Sequence, residues 1–70
     1  MVTTNLLKDF LFNLPRPTNW REGQFVYNMM YRLYPKVVNQ VNFDCFYNNK
    51  NIDKFLEECT YIINNNNEIY

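Results

Sequence analysis

The sequence predicts an all-α fold: a small single-domain bundle of three main helices plus a short connecting helix. Three observations carry that prediction. Apolar residues recur at three- and four-residue steps in three separate stretches, the spacing of one helix face. Prolines 15, 17 and 35 fall between those stretches, where a missing N–H ends a helix or is harmless in its first turn. Length sets the rest. At 70 residues and 8.6 kDa, size scaling gives about 4,700 Å² of folded surface against roughly 12,500 Å² unfolded, enough to close one small core. Helix–helix contacts are local, so such a domain folds without disulfide or metal staples.

The first helix is expected over residues 4–14, capped by the hydroxyl of Thr3 or Thr4. Leu6, Leu7, Phe10, Leu11 and Leu14 form its apolar face, with Lys8, Asp9 and Asn13 off it. Pro15 and Pro17 stop it. The second helix is expected from Asn19 to about Tyr34, with Asn19 and Glu22 at capping-box spacing. Val26, Met29, Met30 and Leu33 point inward, Phe25 flanks them, and Trp20 sits on the first turn. Gly23 costs about 1 kcal/mol inside a helix, so its presence implies close approach of another element, with the proline loop as the candidate. Tyr27, Tyr31 and Tyr34 fall partly on another face, near Gln24 and Arg32.

Pro35 breaks this helix or opens a third. Residues 36–41 read as a short helix carrying Val37, Val38 and Val41, with a strand as the competing assignment because all three are β-branched. Residues 42–51 are a loop whose aromatics cover one end of the core. The last helix starts after an Asn49 or Asn51 cap and runs on Ile52, Phe55, Leu56, Cys59, Ile62 and Ile63. Asp53 suits its positive N-terminal end. The domain is placed at residues 1–63. Residues 64–70, opening with four consecutive asparagines, are expected to be a flexible tail, unless Ile69 and Tyr70 dock as an apolar clip.

Composition excludes several functions. Nearly half the residues are apolar and thirteen are aromatic, too many for a generically disordered chain. No apolar stretch is long enough for a membrane span, and the start lacks the basic and apolar blocks of a signal peptide. A cytoplasmic location with free thiols is therefore expected. With no His, no Ser and a single Gly, His-ligated zinc, Ser-His catalysis and glycine-rich phosphate loops have no material. Glu57 and Glu58 are adjacent on a helix and diverge. Cys45 has no histidine base in the chain; Cys59 falls on the apolar stripe. The expectation is a non-enzyme without cofactor or metal. Net charge is zero, with +2 in residues 1–34 against −2 in residues 35–70, which gives no basic footprint for nucleic acid and suits either head-to-tail contacts or a mixed-charge partner.

Two clusters are candidates for binding. Arg16, Trp20, Arg21 and Gln24 gather guanidinium groups, an indole and an amide around a helix start, and Trp and Arg commonly dominate interfaces. Their competing role is structural: Trp20 staples the loop to the core while Arg16 and Arg21 pair with Asp44 or Glu22. Asp44, Phe46 and Tyr47, on either side of Cys45, form an aromatic loop that grips a partner or a base, or else fills the core. An Arg–Asp44 bond would join the clusters into one structural unit. Tyr27 and Tyr31 complete the candidate binding set.

These residues carry a resemblance. Arg16-Pro17, Asn19, Arg21, Gly23-Gln24, Tyr27-Asn28, Asp44 and Phe46-Tyr47, followed by Ile52 and Phe55-Leu56, resemble a pattern in short proteins of bacteriophage and mobile-element genomes. The likeness spans about residues 10–58, and the Asn-rich tail departs from it. It implies a small helical cytoplasmic protein in a phage-related setting and transfers no activity. The expected function is a non-catalytic interaction module acting on a host or phage protein. Inhibition of a host defence nuclease is its concrete version, through Trp20, Arg21, Tyr27 and Tyr31. The alternatives are a small nucleic-acid-associated protein using Arg16, Arg21, Arg32 and aromatic stacking, and a homo-oligomer assembling through exposed tyrosines.

Overall fold

A computed structural model describes residues 1–65 of the chain. Four helices follow in order: α1 (Thr4–Phe12), α2 (Glu22–Leu33), α3 (Pro35–Val38) and α4 (Ile52–Asn65), with a 3₁₀ turn at Asn49–Asn51 leading into α4. No strand forms among the described residues, so the fold is a small all-α domain. The surface is 4911 Å², close to the size-scaling value, as one closed core requires.

Helix α1 is capped by Thr3, whose hydroxyl accepts from the Leu6 N–H at 3.1 Å. It ends at Phe12, two residues earlier than the apolar spacing suggests, where the Leu14 N–H tightens onto the Leu11 carbonyl. Leu7 and Leu11 are buried against α4, but Leu6 and Phe10 are 61% and 52% exposed. The expected five-residue face is thus too wide. Leu6 and Phe10 sit about 100° round the helix from the Leu7–Leu11 line, beyond the strip that one neighbouring helix covers. Helices α1 and α4 run antiparallel: the Asn64 amide holds both backbone groups of Val2, and Lys8 pairs with Asp53.

Helix α2 starts at Glu22, not Asn19, which corrects the expected capping box. Residues 17–20 are used in a turn closed by the Trp20 N–H on the Pro17 carbonyl. Arg21 is the N-cap residue instead, and its N–H reaches the Gln24 side chain at 3.4 Å. The second cap comes from far away: Asn49 Oδ1 accepts from the Gly23 N–H at 2.8 Å. Asn49 and Asn51 therefore do not cap α4. Asn48 accepts from the Lys50 N–H to cap the 3₁₀ turn, and Asn51 donates to the Asp44 carbonyl.

Pro35 occupies the first position of α3, and Val37 and Val38 are buried, so the strand alternative for residues 36–41 does not hold. Helix α4 buries Ile52, Phe55, Leu56, Cys59, Thr60 and Ile63. It continues through Asn64 and Asn65, past the expected boundary at 63, because the Asn64 contact with Val2 gives the last turn a partner. The remaining tail residues, including Ile69 and Tyr70, lie outside the described residues. Phe55, Leu11, Met30 and Leu56 are fully buried and define the core.

Candidate functional site

The two clusters singled out in the sequence meet at the start of α2. Glycine 23 is the contact point. A Cβ there would lie 2.0 Å from the Cys45 carbonyl oxygen, and the Cys45 thiol donates back to the Gly23 carbonyl at 3.2 Å. Close approach at Gly23 is thus real, but the approaching element is the Cys45 loop, not the proline loop. Cys45 and Cys59 are both buried and free. Burial, the largest influence, pushes both thiols up to about 12 from the ordinary 9.0. Burial thus disfavours the thiolate form of both at neutral pH.

Arg21 joins the clusters without touching Asp44. Its guanidinium donates to the Phe46 carbonyl at 3.0 Å and lies over the Phe46 and Tyr47 rings at 5.7 and 5.5 Å. Asp44 is exposed and accepts from the Phe46 N–H of its own loop at 3.0 Å. Arg16 donates to the Trp20 carbonyl. The expected Arg16 or Arg21 pairing with Asp44 or Glu22 is therefore replaced by bonds to main-chain carbonyls, which fix the loop without using a carboxylate. Gln24 is occupied in the helix start.

Along the outer side of α2 lies an open groove of about 660 Å³, lined by Trp20, Tyr27, Asn28, Met29, Tyr31, Arg32 and Pro35. Each wall has a local cause. Trp20 is held half-buried by its turn and by the Phe25 ring at 6.4 Å. Tyr27 packs on Phe55 at 5.8 Å and edge-on to Phe46 at 5.9 Å, so its ring is anchored in the core while its flank meets Tyr31 at 6.2 Å. Burial first, then the nearby Asp44 carboxylate, raises the Tyr27 phenol above its ordinary value and keeps it a hydrogen-bond donor. Tyr31 and Arg32 are exposed. Among the described residues only Lys8 and Asp53 form an ion pair, so Arg32 is unpaired.

Of the nine candidate residues, Trp20, Tyr27 and Tyr31 line this groove. Arg21, Phe46 and Tyr47 form an adjoining stacked platform, with Phe46 half-buried and Tyr47 83% exposed. Arg16, Gln24 and Asp44 serve local structure. Asn28 and Pro35 were not singled out in the sequence, and Arg32 was named only for the nucleic-acid alternative. Their signal was helical spacing, since Asn28 and Arg32 are four apart on the face that carries Tyr31. Met29, expected in the inward stripe, is half-buried at the groove's edge. No cluster of three His, Cys, Asp or Glu that could hold a metal ion occurs among the described residues, and no described helix is long and apolar enough to cross a membrane. No family model, curated protein or solved structure matches the chain.

Proposed function

We propose that the chain is a non-catalytic interaction module that binds a partner protein through the outer face of α2. One observation carries this reading: an indole, two phenols and an unpaired guanidinium border one open groove on a helix that is anchored from behind. Trp, Tyr and Arg give the most binding energy per residue at interfaces, and side chains fixed before contact lose less entropy on binding. Val26 and Met30, both fully buried, hold the inner face of α2 and supply that fixity. In the phage-related setting implied by the sequence resemblance, the partner is a host or phage protein in the cytoplasm. The chain then acts by covering a working surface, as an inhibitor of a defence nuclease does.

A photo-crosslinking residue at position 28, in the groove, and another at position 9, on the outside of α1, test this in host lysate. The expected result is a discrete adduct with another protein from position 28 only. Identical adducts from both positions would contradict it.

A second reading has its own support. The Arg21–Phe46–Tyr47 platform is a cation over two rings, and no carboxylate occurs in the chain from Gly23 to Phe43. Such a surface stacks bases of a single strand. Zero net charge weighs against it. Anisotropy of a labelled single strand at low and moderate salt decides: binding that falls steeply with salt and is lost in Arg21→Ala favours nucleic acid.

A further inference from the structure

The groove has a chemical complement elsewhere on the same molecule. Helix α4 turns Phe55, Cys59 and Ile63 to the core and leaves Glu57, Glu58 and Tyr61 on its outer side, around a shallow depression. Tyr61 is 68% exposed. Neither glutamate forms an ion pair among the described residues, although Lys54 lies one turn away. Lys54 sits over the Phe43 ring at 5.2 Å instead. The α2 groove offers the reverse: Arg32 is unpaired among the described residues, and α2 carries no carboxylate after Glu22. Both helices bury their inner sides in one core, so their outer faces look away from it in different directions.

We propose that this chain assembles head to tail, the α2 groove of one copy meeting the Glu57–Glu58–Tyr61 face of α4 from another, with the exposed Tyr61 ring as the inserting group. Arg32 faces the acidic edge that Glu57 and Glu58 give this surface, and the Tyr61 ring enters among Trp20, Tyr27 and Tyr31, where aromatic pairs contribute beyond simple burial. Because the two surfaces differ, the contact is heterologous: it closes into a ring or continues as a filament. A standard interface takes about 800 Å² per partner, roughly one-sixth of this chain's 4911 Å² surface, so two such faces fit on one molecule. Since the joining charges are exposed, the contact weakens with salt.

The test is sedimentation equilibrium over about 10 µM to 1 mM protein, at ~20 mM and ~500 mM salt, a range across which screening becomes strong. The wild type is expected to gain mass with concentration at low salt and to lose that gain at high salt. R32E and the double variant E57K/E58K are each expected to associate at least tenfold more weakly. An equimolar mixture of the two is expected to recover assembly, because every junction then pairs opposite charges. Circular dichroism establishes that each variant folds; R32Q and E58Q replace any that does not, with weakening expected in both. A wild type that stays monomeric throughout, an R32E protein that assembles like wild type, or a mixture without recovery each overturns the contact. The outcome is separable from partner binding. A monomer that still captures another protein through the groove sinks only the assembly, and assembly without a captured partner sinks only the interaction module.

Discussion

At the scale of single residues, Gly23 shows how a local cost is repaid at a distance. Its helical position disfavours it by about 1 kcal/mol relative to alanine. The glycine earns its place because the Cys45 carbonyl occupies the space of a Cβ, at 2.0 Å. Gly23→Ala is therefore expected to lower stability by about 1–3 kcal/mol in urea unfolding, where an uncrowded helical glycine would gain stability. The sequence marked Gly23 as a close approach but pointed to the proline loop, since the true neighbour, the Cys45 carbonyl, is 22 residues away and carbonyls carry no sequence signature. The thiols make a second residue-scale prediction. Both are held at about 12 against an ordinary 9.0 by burial. The folded chain binds these protons more tightly than the unfolded chain, so this stability is fully present below 9.0 and is lost as pH rises toward 12. Urea midpoints are expected to fall on the alkaline side of 9.0, with a shallower fall in Cys45→Ala/Cys59→Ala, whatever its midpoint at neutral pH.

At the scale of elements, helices were legible where one stripe meets one neighbour, and misread where the pattern was wider than the contact. The α4 stripe of Ile52, Phe55, Leu56, Cys59 and Ile63 is buried as its spacing required, while Ile62, expected with them, is half-buried at its edge. The α1 stripe split, because only Leu7 and Leu11 lie under a partner helix. Leu11→Ala is expected to cost about 2–5 kcal/mol in chemical denaturation, and Leu6→Lys to stay within about 0.5 kcal/mol of wild type. Equal losses for the two would return Leu6 to the core. The start of α2 was misplaced for a different reason. Asn19 has the right residue type and spacing for a cap, but the deciding cap is Asn49, 26 residues beyond Gly23, from whose N–H it accepts. Asn49→Ala is expected to cost about 1 kcal/mol, as a helix cap does, and to speed hydrogen exchange at Gly23, whose N–H loses its acceptor.

At the scale of the whole molecule, charge and aromatic exposure are distributed unevenly. Zero net charge conceals an aromatic α2 groove whose one charged residue is Arg32 and an acidic α4 exterior around Glu57 and Glu58. The half-chain charges of +2 and −2 were visible in the sequence, and so were Trp20, Tyr27 and Tyr31. What the sequence did not reveal is which aromatics stay outside. Phe46 and Tyr47 are neighbours, yet one is half-buried against Tyr27 and the other is 83% exposed, a difference set by the loop's turn and by Arg21 above both rings. The central claim is that the outer face of α2 is the working surface. Its most direct test is capture from a lysate of the cells in which the protein is made, by tagged wild type, by Tyr31→Ala/Arg32→Ala, and by Asn5→Ala/Asp9→Ala on the outside of α1. All four substituted side chains are exposed, so all three proteins are expected to unfold within about 0.5 kcal/mol of one another. The expected result is a protein held by wild type and by the α1 variant and lost, at least tenfold, by the α2 variant. Equal capture by all three folded proteins would contradict the assignment of this surface.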